Sequence, residues 1–260
     1  MIVHNLDPVL INLGFFQIKW YSIAYIFAII FGWMYGNFII KNKKAFISIK
    51  TQDFDDLILY LIFGIILGGR LGYVFFYNFE YYIVNPSEIF KVWLGGMSFH
   101  GGLIGVIIAT FFYSKIYKKK FFELSDIICC VAPIGLFLGR IANFINGELY
   151  GKSSNLPWSV IFPHVDNIPR HPSQIYEALL EGIVLFIIIN FIALKKNLIF
   201  RVGKVSGLFL IFYSILRIIC EIFREPDEQL GYIFNVISMG TLLSLLTLLI
   251  GLLIMVPLKK

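Results

Sequence analysis

Long apolar runs, separated by short polar segments, recur along the whole 260-residue chain. A helix that spans a membrane needs about 20 mostly apolar residues, and seven segments meet this requirement. In chain order they are about 20–40, 55–78, 99–117, 124–146, 173–194, 204–223 and 235–258. The pattern predicts an all-α polytopic membrane protein with seven transmembrane helices. We expect a single transmembrane bundle domain over 1–260, with loop elaborations at about 79–98 and 147–172.

The amino-acid composition agrees with a membrane protein. Hydrophobic residues make up 58% of the chain and charged residues 15%, and the mean hydropathy is +0.82. Soluble domains carry about 25% charged residues. The pI near 9.1 could indicate a nucleic-acid partner, but the lysines lie in short loops between apolar runs, so we expect none. Cys129, Cys130 and Cys220 lie in apolar runs without metal-ligand spacing, and there is no nucleotide-binding loop, so we expect neither metal nor cofactor.

Basic residues are unequally divided between two sets of loops. Loops 41–54, 115–123 and 195–204 carry four Lys or Arg each and two lysines end the chain, whereas the opposite loops carry five in all. Because cytoplasmic loops are enriched in Lys and Arg, this division predicts an outside N-terminus and a cytoplasmic C-terminus. Residues 1–17 lack a basic start and a clear cleavage site, so we do not predict a cleaved signal peptide.

Three basic residues remain once the loops are counted, and all three lie in or at the outer ends of predicted spans: Arg70, Arg140 and Arg217. A charge at membrane depth costs about 2.5–3.5 kcal/mol or more, so it normally faces a partner or a wet cavity. Arg140 opens the polar stretch "GRIANFINGELYG" at 139–151. Arg70 is either an anion ligand or the structural partner of a buried acid such as Glu177 or Glu181.

Two further groups of candidate functional residues lie near the outer ends of the predicted spans: a histidine, and a stripe of arginines and a glutamate. His100 lies in "GGMSFHGGLIG", where Ser98 is a suitable helix cap and glycines leave space around the imidazole. His100 is either a hydrogen-bonded structural residue or a catalytic or binding residue.

The stripe consists of Tyr213, Arg217, Glu221 and Arg224, whose spacing of 4, 4 and 3 places them on one helix face. We expect one of its arginines to pair with Glu221 and the other to face a ligand. The alternative is an ion network that joins helices. Two or more arginines in one cavity favour an anionic ligand, and a phosphate matches their planar donors.

Two other functions are compatible with buried arginines. A small-anion transporter predicts polar residues along the full depth of the membrane, whereas here they concentrate in the outer half. A non-catalytic lipid-binding scaffold does not need a histidine near paired arginines. The residues alone lead as far as an anionic ligand, with phosphate favoured, and do not identify a reaction.

Several motifs together resemble those of bacterial prolipoprotein diacylglyceryl transferases. They occur in family order over nearly the whole chain and are "GGRLGYVFFYN", "GGMSFHGGLIGV", "GRIANFINGELYG", "RHPSQIYEALLEG" and "SGLFLIFYSILRIICEIFREPD". The stretch 152–169 is compact where some members carry a longer insertion, which leaves the shape of the outer head open. The resemblance implies transfer of the sn-1,2-diacylglyceryl group from phosphatidylglycerol to the lipobox cysteine of a preprolipoprotein signal peptide. It also implies a seven-span protein among the lipids of the bacterial inner membrane, with its active site towards the periplasm.

The resemblance also implies which residues act. The candidate catalytic residues are His100, Arg140 and Arg217. The candidate substrate-binding residues are Tyr21, Arg70, Asn143, Glu148, Gly151, Glu221 and Arg224. Asp126 matches a motif position without a clear role. We expect the arginines to bind the phosphate and stabilise its growing charge. His100 either takes the proton of the thiol or orients the substrate, and a pH–rate profile of His100→Gln separates these two roles.

Overall fold

The computed structural model describes residues 2–14, 17–42, 48–226, 232–233 and 237–256, and most of them are helical. The α-helices are α1 (Trp20–Asn42), α2 (Thr51–Phe76), α3 (Phe79–Val84), α4 (Phe99–Ile116), α5 (Phe121–Asn146), α6 (Ser173–Glu177), α7 (Leu185–Asn190), α8 (Lys204–Glu221) and α9 (Met239–Met255). Wider π-helical turns at Ala178–Val184 and Phe191–Lys195 make one continuous helix from α6 and α7. Short 3₁₀ turns cover Pro86–Phe90, Val92–Leu94 and Leu198–Phe200.

Five of these helices are long and apolar enough to cross a membrane. They are α1, α2, α4, α5 and the continuous helix Ser173–Lys195, and they coincide with the first five predicted spans. A mainly helical, multi-pass membrane protein is therefore confirmed. The sixth predicted span is a helix, α8, but it carries Lys204, Arg217 and Glu221. The seventh corresponds to α9, with 17 residues, and both ends of the predicted range 235–258 lie outside the described residues. Seven spans therefore stay a prediction.

The chain divides into two compact units. Unit 1 comprises 1–36 and 126–260, and unit 2 comprises 37–125. The prediction of one bundle domain is not tested by this division and stays a prediction.

In unit 2, glycines bring the backbones of α2 and α4 into contact. A methyl group at Gly64 would lie 2.6 Å from the carbonyl oxygen of Gly105, and one at Gly72 would lie 2.7 Å from the Cα of Gly101. Such distances leave no room for a side chain, so this glycine seam fixes the two helices against each other. In α5, by contrast, a methyl group at Gly135 would lie 3.8 Å from its nearest neighbour. Glycines therefore allow close backbone packing at α4, and Gly135 of α5 has room for a methyl group.

We expect Gly105→Ala to destabilise the protein, because its new methyl group would lie 2.7 Å from the carbonyl carbon of Gly64. Overpacking of this kind costs about 1–3 kcal/mol, so the melting temperature in detergent should fall by several degrees. Gly102→Ala is the matched control, since its nearest neighbour would be 3.8 Å away. Equal melting temperatures for the two variants would contradict the seam.

Unit 1 contains short strands as well as helices. In chain order they are β1 (Ile2–Val3), β2 (Val9–Asn12), β3 (Gln17–Lys19), β4 (Val160–Ile161), β5 (Pro169–Arg170), β6 (Tyr232–Ile233) and β7 (Ile237–Ser238). Strand β1 pairs in parallel with β4, and β4 pairs antiparallel with β5. The N-terminal segment is therefore tied to the loop between α5 and α6. Strands β2 and β3 form a hairpin that leads directly into α1.

Candidate active site

Arg140 of α5 and Arg217 of α8 share the same two glutamates. Arg140 Nε lies 2.8 Å from Glu177 Oε2, and its Nη2 lies 3.2 Å from Glu181 Oε2. Arg217 Nη1 lies 2.9 Å from Glu177 Oε2 and 3.2 Å from Glu181 Oε1. Each carboxylate thus contacts both guanidinium groups. The two arginines are brought together by acids that both come from the helix beginning at Ser173.

Burial differs between the arginines and the acids. The side chains of Glu177 and Glu181 are 0% exposed, whereas those of Arg140 and Arg217 are 14% and 9% exposed. Removing one member of such a buried pair leaves an uncompensated charge in an apolar environment, which is strongly unfavourable. Four charged side chains are therefore stable here only as a set. The arginines are its more accessible members.

Glu221 and Arg224 add a third acid and a third arginine to the set. Glu221 is the last residue of α8, but Arg224 lies beyond the helix and forms a β-bridge with Gly151, so the prediction that the whole stripe lies on one helix face is wrong for Arg224. Arg217 donates a short hydrogen bond to Glu221, whose other oxygen accepts a bond from Ser238 Oγ at 2.8 Å. Arg224 Nη1 lies 3.6 Å from Glu177 Oε1. The expected pairing of one stripe arginine with Glu221 is confirmed for Arg217, and the expectation that Arg224 faces a ligand stays a prediction. The stripe is part of an ion network, the arginine–glutamate cluster, made of Arg140, Arg217, Arg224, Glu177, Glu181 and Glu221.

The polar stretch after Arg140 forms the end of α5 and the turn that follows it. Asn143 Nδ2 donates to Glu148 Oε1 at 2.6 Å, and Asn146 Nδ2 lies 3.5 Å from the same oxygen. Gln174 Nε2 donates to the carbonyl of Glu148 at 2.7 Å. The first turn of α6 therefore holds the turn that carries Glu148. This contact brings the stretch at 139–151 and the "HPSQ" stretch together.

Two histidines fix the same end of α5 from the outside. His4 Nε2 lies 2.7 Å from the carbonyl oxygen of Phe144, and His164 Nε2 lies 2.9 Å from that of Gly147. Phe144 lies in the last turn of α5, where its carbonyl also accepts the Gly147 N–H at 3.0 Å, and Gly147 directly follows the helix. These histidines position the turn that carries Glu148. A third histidine, His171, packs on Phe223, and burial lowers the pKa of its imidazole.

Gly151 lies where three backbone segments meet. A methyl group on it would lie 2.5 Å from the carbonyl oxygen of His171 and 2.6 Å from that of Phe223. Its backbone forms a bridge to Arg224 and donates to His171 at 3.0 Å. Gly151 therefore joins the α5–α6 loop to the end of α8, and only a residue without a side chain fits.

Tyr21 is the second residue of α1, in unit 1. Its ring centroid lies 5.1 Å from that of Tyr25, one turn later, and the two side chains share a hydrogen bond. Tyr21 is half-buried, and its contact with a substrate stays a prediction.

The other two candidates, Arg70 and His100, belong to unit 2. Arg70 is buried, and its donors go to backbone carbonyls of the loop between α3 and α4. The acceptors are Glu88 at 2.6 Å, Ile89 at 2.9 Å, Gly96 at 3.2 Å and, by a short bond, Gly95. Glu177 and Glu181, proposed above as its partners, instead contact Arg140 and Arg217. The interpretation of Arg70 as the partner of these acids is therefore wrong, and it holds this loop in place.

His100 is the second residue of α4 and is exposed. Ser98 caps this helix as predicted, since its Oγ accepts a bond from the Gly101 N–H at 3.2 Å. The ring of Phe99 lies edge-on to the imidazole with centroids 5.6 Å apart.

The comparisons with known proteins agree with the motifs. The family model for prolipoprotein diacylglyceryl transferase matches residues 8–257. The chain belongs to this family. It is 50% identical over 251 residues to the phosphatidylglycerol–prolipoprotein diacylglyceryl transferase of Rickettsia canadensis (strain McKiel), which covers 96% of both chains. It is 51% identical over 247 residues to the protein of the same name from Rickettsia bellii (strain OSU 85-389), covering 95% of this chain and 93% of the relative.

In this prolipoprotein diacylglyceryl transferase, the sequence suggested Glu177 and Glu181 only as partners of Arg70, and their contacts with Arg140 and Arg217 were not predicted. The available signal was their spacing: two acids four residues apart in an otherwise apolar helix lie on one face. Intramembrane acids normally have a partner. Their number and spacing suggested a site, but not which of the three arginines they contact.

Asp126, the motif residue without a clear role, is a structural residue in this family member. Its carboxylate accepts from the Gly203 N–H at 2.6 Å and from the Ser206 N–H at 2.7 Å. It also accepts a bond from Ser206 Oγ at 2.6 Å. An acid at these donors satisfies the N-terminal amides of α8 and complements its helix dipole. Asp126 therefore anchors the helix that carries Arg217.

Proposed function

We propose that this protein transfers the sn-1,2-diacylglyceryl group from phosphatidylglycerol to the cysteine thiol of a prolipoprotein. Family membership and relatives about half identical over nearly their full length support this reaction. The observation that carries the proposal is the shared placement of Arg140 and Arg217. Two guanidinium groups on two helices converge on the same two glutamates, and both are more exposed than those acids.

The chemistry follows from the charge that develops during transfer. The cysteine sulfur attacks the terminal glyceryl carbon of the diacylglyceryl group, the C–S bond forms, and the bond from that carbon to the phosphate oxygen breaks. The leaving glycerol phosphate gains negative charge as this bond breaks. Arg140 and Arg217 bind the phosphate and stabilise that charge, because fixed donors in a water-poor site act without reorganisation. The phosphate of the lipid is itself the leaving group, so the transfer does not need a nucleotide.

The remaining candidate residues position the reactants. Asn143 and Glu148 form one hydrogen-bonded unit beside Arg140 and contact the glycerol headgroup, and Tyr21 does so from α1. Glu221 and Arg224 support Arg217. His100 either takes the proton of the lipobox thiol or orients the substrate, and both roles rest on the family motif. Arg70 acts indirectly: its side chain donates to four backbone carbonyls of the loop between α3 and α4 and so holds that loop in place.

We further propose seven spans in the bacterial inner membrane, with the N-terminus and the active site on the periplasmic side. The unequal division of Lys and Arg among the loops supports this orientation. Reporters fused to each end should show a periplasmic N-terminus and a cytoplasmic C-terminus. A cytoplasmic N-terminus would contradict the topology but not the reaction.

The reaction itself has a direct test. Purified protein in detergent, incubated with phosphatidylglycerol and a peptide that carries a lipobox cysteine, should increase the peptide mass by one diacylglyceryl unit. A peptide with serine in place of the cysteine is the matched control and should stay unmodified, because its hydroxyl is a far weaker nucleophile than a thiol. A folded preparation that leaves the cysteine peptide unchanged would refute the proposal.

A further inference from the structure

Glu177 and Glu181 are the most deeply buried charged groups of the arginine–glutamate cluster, and the proposed reaction gives them no part. Both are 0% exposed, and both contact Arg140 as well as Arg217. Since the arginines are the more exposed members, an incoming phosphate meets guanidinium groups first. The acids lie behind the arginines and do not reach the substrate.

The cluster carries three positive and three negative formal charges, so it is neutral before substrate binds. Two guanidinium groups held side by side in an apolar environment repel each other strongly. The two acids offset this repulsion, and they keep Arg140 and Arg217 close enough to bind a single phosphate. Without them, the two arginines would separate towards solvent.

One carboxylate oxygen of Glu177 contacts both arginines. Its Oε2 lies 2.8 Å from Arg140 Nε and 2.9 Å from Arg217 Nη1, whereas its Oε1 lies 3.6 Å from Arg224 Nη1. Donors that bind a carboxylate at these distances also bind a phosphate oxygen. An incoming phosphate therefore competes with Glu177 for the donors of Arg140 and Arg217.

The local backbone also places these acids. Glu181 lies in the π-helical turn Ala178–Val184, a rare conformation that is frequent at functional sites. Gly182 in the same turn packs on α5, and a methyl group there would lie 2.6 Å from Phe137 Cβ. Phe137 precedes Arg140 by one helical turn. The close approach at Gly182 thus brings Glu181 and Arg140 together.

We propose that Glu177 and Glu181 are positioning residues for diacylglyceryl transfer: they align Arg140 with Arg217 and compete with the phosphate for the arginine donors. This inference rests on the proposed function. It predicts opposite effects on binding and on turnover. Neutralising one acid leaves the cluster with one net positive charge, which attracts the phosphate, but it also removes the alignment that makes binding productive.

The test uses Glu177→Gln and Glu181→Gln in the full-length protein, with kcat and KM measured for phosphatidylglycerol. We expect kcat to fall by about 10²-fold and KM to fall by about threefold, since lost transition-state alignment lowers kcat and lost competition lowers KM. Glu123→Gln is the matched control. This buried acid bonds Ser48 and Lys120 outside the cluster and should keep wild-type values. A kcat within twofold of wild type in both cluster variants would overturn the inference.

A second measurement separates this inference from the proposed function. Inorganic phosphate is titrated into each protein and followed by ³¹P NMR, which requires no turnover. We expect the two Gln variants to bind phosphate about threefold more tightly than wild type. Unchanged or weaker phosphate binding would contradict the proposal that the two acids compete with phosphate for the arginines. If the wild-type protein does not modify a lipobox peptide, the proposed function fails, and the binding data still decide the role of the acids.

If the Gln variants do not fold, Glu177→Asp and Glu181→Asp take their place. They keep the charge but shorten the side chain, so kcat should fall while phosphate affinity stays at the wild-type value. Wild-type kcat in both Asp variants would overturn the positioning role.

Discussion

Arg140→Gln should lower diacylglyceryl transfer by at least about 10²-fold, because it removes a fixed donor from the charge that grows on the leaving phosphate. It should also destabilise the protein by about 3–5 kcal/mol, since Glu177 and Glu181 lose one of their shared partners in a buried site. Transfer is measured by mass spectrometry of a lipobox peptide and stability by thermal unfolding in detergent.

The two effects of Arg140→Gln can be separated by a second substitution. Arg140→Gln combined with Glu181→Gln restores the charge balance of the cluster, so stability should recover while transfer stays low. Arg201→Gln is the matched control, because this exposed arginine lies in the loop before α8 and should change neither quantity. Transfer by the double variant is therefore compared with that of Glu181→Gln alone, and equal values would show that Arg140 is needed only for folding.

Gly151→Ala should also reduce transfer strongly, although it adds only a single methyl group. That group would lie 2.5–2.6 Å from two carbonyl oxygens and a side-chain carbon, and backbone atoms cannot move away as a flexible side chain can. The α5–α6 loop would separate from the end of α8, and Glu148 and Arg224 would shift with it. We expect at least a tenfold fall in kcat/KM, which a misplacement of about 1 Å is sufficient to cause.

Gly139→Ala provides the comparison for Gly151→Ala. This glycine precedes Arg140 in α5, and within the described part of the chain a methyl group there would have no atom within 4 Å. Alanine is a better helix former than glycine by about 1 kcal/mol, so the variant should keep full transfer and unfold at the same or a higher temperature. If Gly151→Ala retains the kcat/KM of Gly139→Ala, the close meeting of three backbone segments at Gly151 is not required for transfer.

Several features could be predicted from the sequence because they depend on short stretches. A run of apolar residues identifies a spanning helix without reference to any other segment. The cap at Ser98 has the same local character, and the structure confirms it. Arg140 and Arg217 could also be selected from sequence, since a charge within an apolar run always needs a partner.

Other features depend on which helices become neighbours, and no local rule predicts them. Glu177 was a reasonable partner for Arg70 by chemistry alone, yet it contacts Arg140 and Arg217. Arg70 donates instead to loop carbonyls, which every residue possesses and which therefore leave no signal in the sequence. The constraint at Gly151 is equally non-local, because it arises from segments 20 and more than 70 residues away.

The sequence by itself therefore determined the class of protein, its family, most of its helices and the charged residues that require partners. Hydrophobicity and motif identity are properties of residues in chain order, and chain order is what a sequence contains. Only the tertiary structure decided how the charges pair and that Glu177 and Glu181 align the two arginines. Ion pairing depends on distances of about 3 Å between atoms on separate helices, and helix packing alone sets those distances.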